Sequence, residues 1–145
     1  MRKKLLEIYT DGACSGNPGL AAVGVVIKEG DCTIKTLSFP IGHSTNNIAE
    51  YTALIYALQE ALILKASHVT AHTDSELLYH QLQGNYKIKH ENIKPLFAQI
   101  QHLVKGFAEF KIKHIPRTQN KEADDLAKKA IKNEQAKVVA LPSNG

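Results

Sequence analysis

The chain has 145 residues, 43% hydrophobic and 22% charged, which is the size of one domain able to bury its own core. Lys and Arg number 18 against 14 Asp and Glu, a net +4 with 7 His in reserve, so the surface is mildly basic and compatible with a polyanionic partner. The longest apolar run, Ala21 to Ile27, is far too short to span a bilayer, no apolar run of signal-peptide length precedes Glu7, and Cys14 and Cys32 form neither a disulfide framework nor a Cys-x-x-Cys pair; a soluble protein of a reducing cytoplasm, with no membrane association, is expected.

Leu5 to Thr10 reads as a strand that runs into the turn-rich segment Asp11 to Gly19. Ala21 to Lys28 is apolar enough for a central strand, and Thr33 to Ile41 follows a Glu29-Gly30-Asp31 turn with Leu37, Phe39 and Ile41 at period two. These three predict an antiparallel meander. The period then becomes helical: Asn47 to Lys65 carries Ala53, Leu54, Ala57, Leu58, Ala61 and Leu62 on one stripe. Val69 to Thr73 is a short strand, and Ser75 to Leu82 a short helix stopped by Gly84. Asn92 to Lys105 is a helix with an Asn cap and Gly106 as its stop. Glu109 to Ile115 alternates as a strand, Pro116 to Gln119 is a loop, and Asn120 to Lys132 is the last helix. The order βββαβααβα predicts a mixed five-stranded sheet with helices packed on it, a single α/β domain over 1–145 with its core at about 5–132 and a loosely held tail at 133–145.

Four acidic residues fall where carboxylates are awkward. Asp11 sits where a strand meets a turn; Glu50 lies on the apolar stripe of its helix; Asp74 ends a strand; Asp124 faces the buried side of the last helix, with Ala127 at +3. Each has an ordinary reading taken alone: a turn initiator, a capping box with Asn47, an N-cap, a first-turn acid facing the helix dipole. Asp125 is the contrast, since Lys128 and Lys129 at +3 and +4 suit an exposed, ion-paired face. Together, two strand ends and two helix starts converge on one rim of an α/β fold. Four carboxylates there would repel one another unless a cation joined them. Oxygen-only ligands select Mg²⁺, with Mn²⁺ as substitute, and two ions roughly 4 Å apart are the usual arrangement for phosphodiester hydrolysis.

Tyr9-Thr10-Asp11-Gly12-Ala13-Cys14 with Gly16-Asn17-Pro18-Gly19, then Thr45-Asn46-Asn47-Ile48-Ala49-Glu50, Thr73-Asp74-Ser75, and His114-Ile115-Pro116-Arg117 followed by Asn120 to Ala127 resemble, in order, the four motifs of ribonuclease H type 1. The resemblance covers about Leu5 to Ile131. It implies a ribonuclease H-like fold and a metal-dependent endoribonuclease that cuts the RNA strand of RNA/DNA hybrids, with little sequence preference, to 5′-phosphate and 3′-hydroxyl ends. It assigns Asp11, Glu50, Asp74 and Asp124 to the metal ions and His114 to proton transfer or product release. It places Asn17, Asn46 and Asn47 at the hybrid and Thr45 at a phosphate. Beside the resemblance, the chemistry of the residues adds candidate contacts: the backbone amides of Cys14, Ser15 and Gly16 along the minor groove, Glu76 next to Asp74, and Glu50 as acceptor from a ribose 2′-hydroxyl. His114 is in phase with Phe110 and Ile112, so an inward, satisfied imidazole is its ordinary alternative.

Two departures stand out. Gln83 to His90 is a short connection where many family members carry a basic protrusion, leaving Lys87, Lys89 and Lys94 as a reduced phosphate patch or a solvated loop. Glu76 stands where the family often has an amide. Lys121, Lys128, Lys129 and Lys132 read as the solvated face of the last helix, and Cys14 as a packed residue rather than a nucleophile. The alternative reading is a weakly active or non-catalytic hybrid-binding module; a relative acting on DNA is disfavoured by the Asn motifs. A monomer with no obligate protein partner is expected.

Overall fold

The computed structural model describes residues 2–140, with side chains through residue 137. Strand β1 spans Leu5–Gly16 and pairs antiparallel with β2, Gly19–Glu29, which pairs antiparallel with β3, Cys32–Ser44. All three are longer than their apolar cores. β1 continues through the expected turn because its ladder with β2 closes only at Gly16 and Gly19. Helix α1 covers Asn46–Ile63 and β4 covers His68–Thr73; α2 is Glu76–Leu82, α3 is Lys94–Val104, β5 is Glu109–His114 and α4 is Lys121–Ala140. β4 pairs parallel with both β1 and β5, giving the order β3-β2-β1-β4-β5 and the expected mixed sheet. β2 is an interior strand, as its composition predicts.

Several boundaries correct the sequence reading. Thr45, not Asn47, caps α1, accepting from the Ile48 amide at 3.3 Å. Ser75, not Asp74, caps α2, accepting from Leu78 at 3.2 Å. Both corrections release a carboxylate from a capping duty. α3 begins two residues late, with Ile93 at its cap position, no side-chain cap, and Pro95 in the first turn instead of an Asn92 cap. A 3-10 turn, Arg117–Gln119, occupies the expected loop. α4 runs well past Lys132, so the first part of the expected tail is helical; positions 141–145 lie outside the described residues.

Paired residues of antiparallel strands share a sheet face. Asp11 is opposite Gly24, while Gly12 points the other way. A Cβ on Gly12 would lie 2.1 Å from the Ala49 carbonyl carbon of α1, and one on Gly24 would lie 2.0 Å from the Ala123 oxygen of α4. The two glycines therefore let one helix settle on each face, directly over adjoining strands. Under α1 lies the larger core, with Leu6, Ile8, Tyr51, Leu54, Leu58, Leu78 and Ile100 all about 1% exposed or less. Each such side chain contributes roughly 1.5–3 kcal/mol. Under α4 the packing is alanine-rich, with Ala22, Ala130 and Ile131 in contact. Among the described residues, no helix is long and apolar enough to cross a membrane.

Candidate active site

Asp11 comes from the middle of β1, not from its end as the sequence reading expected, because β1 runs on past it beside β2; Glu50 comes from the second turn of α1, and Asp74 is the residue after β4. One carboxylate oxygen from each lies within 4.8 Å of the others. Asp11 is 5% exposed and Glu50 9%, with Asp74 half-buried. The Gly12 amide donates to Glu50 Oε1 at 2.5 Å, so the bare glycine both admits α1 and orients its carboxylate.

Asp74 is held from beneath. Asn120, 1% exposed, donates through Nδ2 to the Thr10 carbonyl at 2.8 Å and to Asp74 Oδ2 at 3.1 Å. This tie joins the residue before α4 to the middle of β1 and the end of β4, and the sequence reading missed it by taking Asn120 for the first residue of the helix. A buried amide beside an Asp would have been its signal.

Asp124, 7% exposed, comes from the first turn of α4. Its Oδ2 lies 2.8 Å from Lys128 Nζ, and Arg117 lies 3.8 Å from its Oδ1. Lys128 therefore pairs with Asp124 rather than with Asp125, and it is not merely part of a solvated face. Asp125 is exposed as expected.

Electrostatics separate Asp11 and Glu50 from Asp124. Burial, then the Glu50, Asp74 and Asp124 carboxylates, push Asp11 up to about 9. Burial pushes Glu50 up to about 8 against the opposing Gly12 hydrogen bond. Burial also acts to raise Asp124, but hydrogen bonds with Lys128 and Asp11 and the charges of Lys128 and Arg117 outweigh it and hold that carboxyl low. Two buried carboxylates and the half-buried Asp74, mutually repelling and with oxygen donors close together, fit a hard divalent cation.

Asp11, Gly12, Cys14, Asn46, Glu50, Asp74, Arg117 and Lys128 line an open cavity of 490 Å³. Asn46 also lines a neighbouring cavity of 490 Å³ with Asn17, Thr45, Asn47, His90 and Asn92. The structure thus collects the expected Asn and Thr positions beside the carboxylates, and adds His90 and Asn92, which sequence reasoning did not single out. Asn17 Oδ1 accepts from the Asn46 amide at 3.1 Å, tying the turn after β1 to α1. Ser15 and Gly16 lie at the exposed end of β1, where Gln135 donates to Ser15 Oγ at 3.2 Å.

Glu76 and His114 line neither cavity. Glu76 is exposed at the start of α2, 3.9 Å from His80. His114 is exposed at the end of β5, in register with Thr73, and stacks on Tyr79 at 5.7 Å between ring centroids. It is not the inward histidine that its phase allowed. Cys14 donates to the Ser44 carbonyl at 3.4 Å, and burial, then Glu50, push its thiol up, which suits a packed residue. In the last turn of α2, buried Gln81 accepts from Tyr51 at 2.6 Å and donates to the carbonyl of Lys87 in the short connection that follows, at 3.4 Å. Lys94 is paired with Glu91 at 2.7 Å, and Lys87 and Lys89 are exposed.

Residues 9–130 match the family model described as reverse transcriptase-like. The chain is 40% identical over 127 residues to a ribonuclease HI of Halobacterium salinarum, covering 87% of this chain and 64% of that one. It is 36% identical over 126 residues to the bifunctional protein Rv2228c of Mycobacterium tuberculosis, covering 86% of this chain and 35% of the relative. The chain thus spans about a third of the mycobacterial relative and just under two thirds of the archaeal one. Among solved structures, LC11-RNase H1 in complex with RNA/DNA hybrid superposes with a TM-score of 0.85 at 40% identity, over 90% of this chain and 99% of that one.

Proposed function

Because the chain belongs to the ribonuclease H type 1 family, we propose that it hydrolyses the RNA strand of RNA/DNA hybrids to 5′-phosphate and 3′-hydroxyl products. The observation that carries this reading is the meeting of Asp11, Glu50 and Asp74 oxygens within 4.8 Å in a cavity that adjoins an Asn-lined one; Asp124 lies outside that group but close enough to act on Asp11. Divalent ions, Mg²⁺ or Mn²⁺, two per site, would supply a nucleophile from water at neutral pH and stabilise the leaving oxygen.

The chain's own residues do the rest. Asp11, Glu50, Asp74 and Asp124 hold the ions. Gly12 and Asn120 keep Glu50 and Asp74 aimed, so the carboxylates need little rearrangement when a cation arrives. Glu50 accepts from a ribose 2′-hydroxyl, the group that tells RNA from DNA. Cys14, Ser15, Gly16, Asn17, Thr45, Asn46 and Asn47 lie along the hybrid, with Glu76 at its margin. His114, exposed and away from the cavity wall, swings from its stack on Tyr79 to move a proton or help product leave. A relative solved with RNA/DNA hybrid supports this substrate class. A monomeric, cytoplasmic enzyme is part of the same reading.

The test is a substrate panel: labelled hybrid, single-stranded RNA, duplex RNA and duplex DNA, each with Mg²⁺, Mn²⁺ or EDTA. The reading requires metal-dependent cutting of the hybrid's RNA alone, with 5′-phosphate ends. Cutting of duplex DNA would replace it with a deoxyribonuclease.

A further inference from the structure

Asp124 differs from the other three carboxylates in what already surrounds it. Among the described residues, Asp11, Glu50 and Asp74 have no Lys or Arg within ion-pairing distance; Glu50 and Asp74 receive single N–H bonds from Gly12 and Asn120. Asp124 has two cations of the chain. Lys128 Nζ lies 2.8 Å from Oδ2 and Arg117 lies 3.8 Å from Oδ1. Both line the cavity that the other three carboxylates line. Asp124 Oδ1 is nevertheless buried without a hydrogen-bond donor, so this carboxylate retains an unused acceptor.

We propose that Lys128 sets the order of metal loading. Its ammonium takes, in the metal-free chain, the place at Asp124 that a second divalent ion needs. The inference rests on the two-ion reading above. The three unpaired carboxylates accept the first ion, and Asp124 joins only when Lys128 lets go. Lys128 is able to do so: its side chain is 56% exposed, and it stands one turn past Asp124 on α4. Asp124 is buried but the ammonium end of the pair is in solvent, so Lys128 can return to water when it lets go, and release costs little beside a dication's pull. It is not negligible, because an ammonium that stayed would also repel the incoming ion. The consequence is a tight first site and a weaker second one that fills at higher metal concentration or when substrate phosphate adds its charge.

The test titrates the whole protein with MgCl2 and MnCl2 by calorimetry and counts bound Mn²⁺ by electron paramagnetic resonance, without substrate. Wild type should bind two ions in separable steps. Lys128→Gln should tighten only the weaker step, by roughly 3–10-fold. Lys129→Gln removes the same charge one exposed position on and should leave both steps unchanged. Equal shifts of both steps, equal effects of the two variants, or an unchanged second step in Lys128→Gln would each overturn the proposal. A wild-type protein that binds no ion, or whose first step survives Asp74→Asn, overturns the two-ion reading itself. Tightening confined to the second step while the substrate panel shows no cleavage would leave the lysine's role standing and remove the activity.

Discussion

Asn120 carries one amide between two acceptors, the Thr10 carbonyl and Asp74, at a position 1% exposed to solvent. Asn120→Ala removes both bonds and leaves a buried carbonyl without a donor, so it should cost about 1–3 kcal/mol in urea unfolding. Cleavage should fall further than this loss explains, because Asp74 loses its fixed orientation; full activity in the folded variant would remove Asn120 from the site. The meeting of Asp11, Glu50 and Asp74 was legible at this scale because each stood where a structural role was awkward and because their motifs are ordered along the chain. Their supports were not. Asn120 looks like a helix start, and Lys128 looks like solvated surface, because only the folded chain shows that Asp124 rather than Asp125 faces it. His114 shows the limit of phase: the periodicity of Phe110 and Ile112 extends to it, but the strand ends there and leaves the ring in solvent.

At the scale of elements, the site depends on how closely two helices approach the sheet. Gly24 permits the approach of α4, and through it the position of Asp124. Gly24→Ala would place a methyl 2.0 Å from the Ala123 oxygen, so α4 must shift. Stability should drop by about 1–3 kcal/mol in a denaturant titration, with cleavage lost more steeply. A variant as stable and active as wild type would mean that α4 seats itself without that glycine. This contact was readable in principle, since a lone glycine in an apolar strand signals close approach. Element types and their order were all legible from periodicity. Boundaries were less so: the β1–β2 ladder outruns its apolar core, and the caps at Thr45 and Ser75 lie beside the Asn and Asp residues that looked equally able to cap. The extension of α4 past Lys132 carries little apolar patterning, so periodicity did not reveal it.

For the whole molecule, the clustered carboxylates make stability depend on pH and metal together. Asp11 and Glu50 titrate high in the metal-free fold, at about 9 and about 8, against roughly 4 when unfolded. Over that window the folded chain binds more protons than the unfolded one. Their contribution is therefore complete below about pH 4 and is lost as pH rises through 8 and 9. The metal-free Tm should fall between pH 6 and pH 9, a range named by these shifts, and saturating Mg²⁺ should flatten the slope. Asp11→Asn should flatten it without metal, since it removes one of the repelling charges. A metal-free Tm that rises across this range would contradict the clustering. The net +4 and the exposed Lys87 and Lys89 leave hybrid binding to a modest basic surface, which should weaken steeply with salt.

The most direct test of the site measures hybrid binding and RNA-strand cleavage side by side for the wild type and Asp74→Asn, in Mg²⁺. The account predicts that both proteins bind the hybrid, within a few-fold of one another, and that only the wild type cuts it. Binding without cleavage by the wild type, or undiminished cleavage by Asp74→Asn, would contradict it.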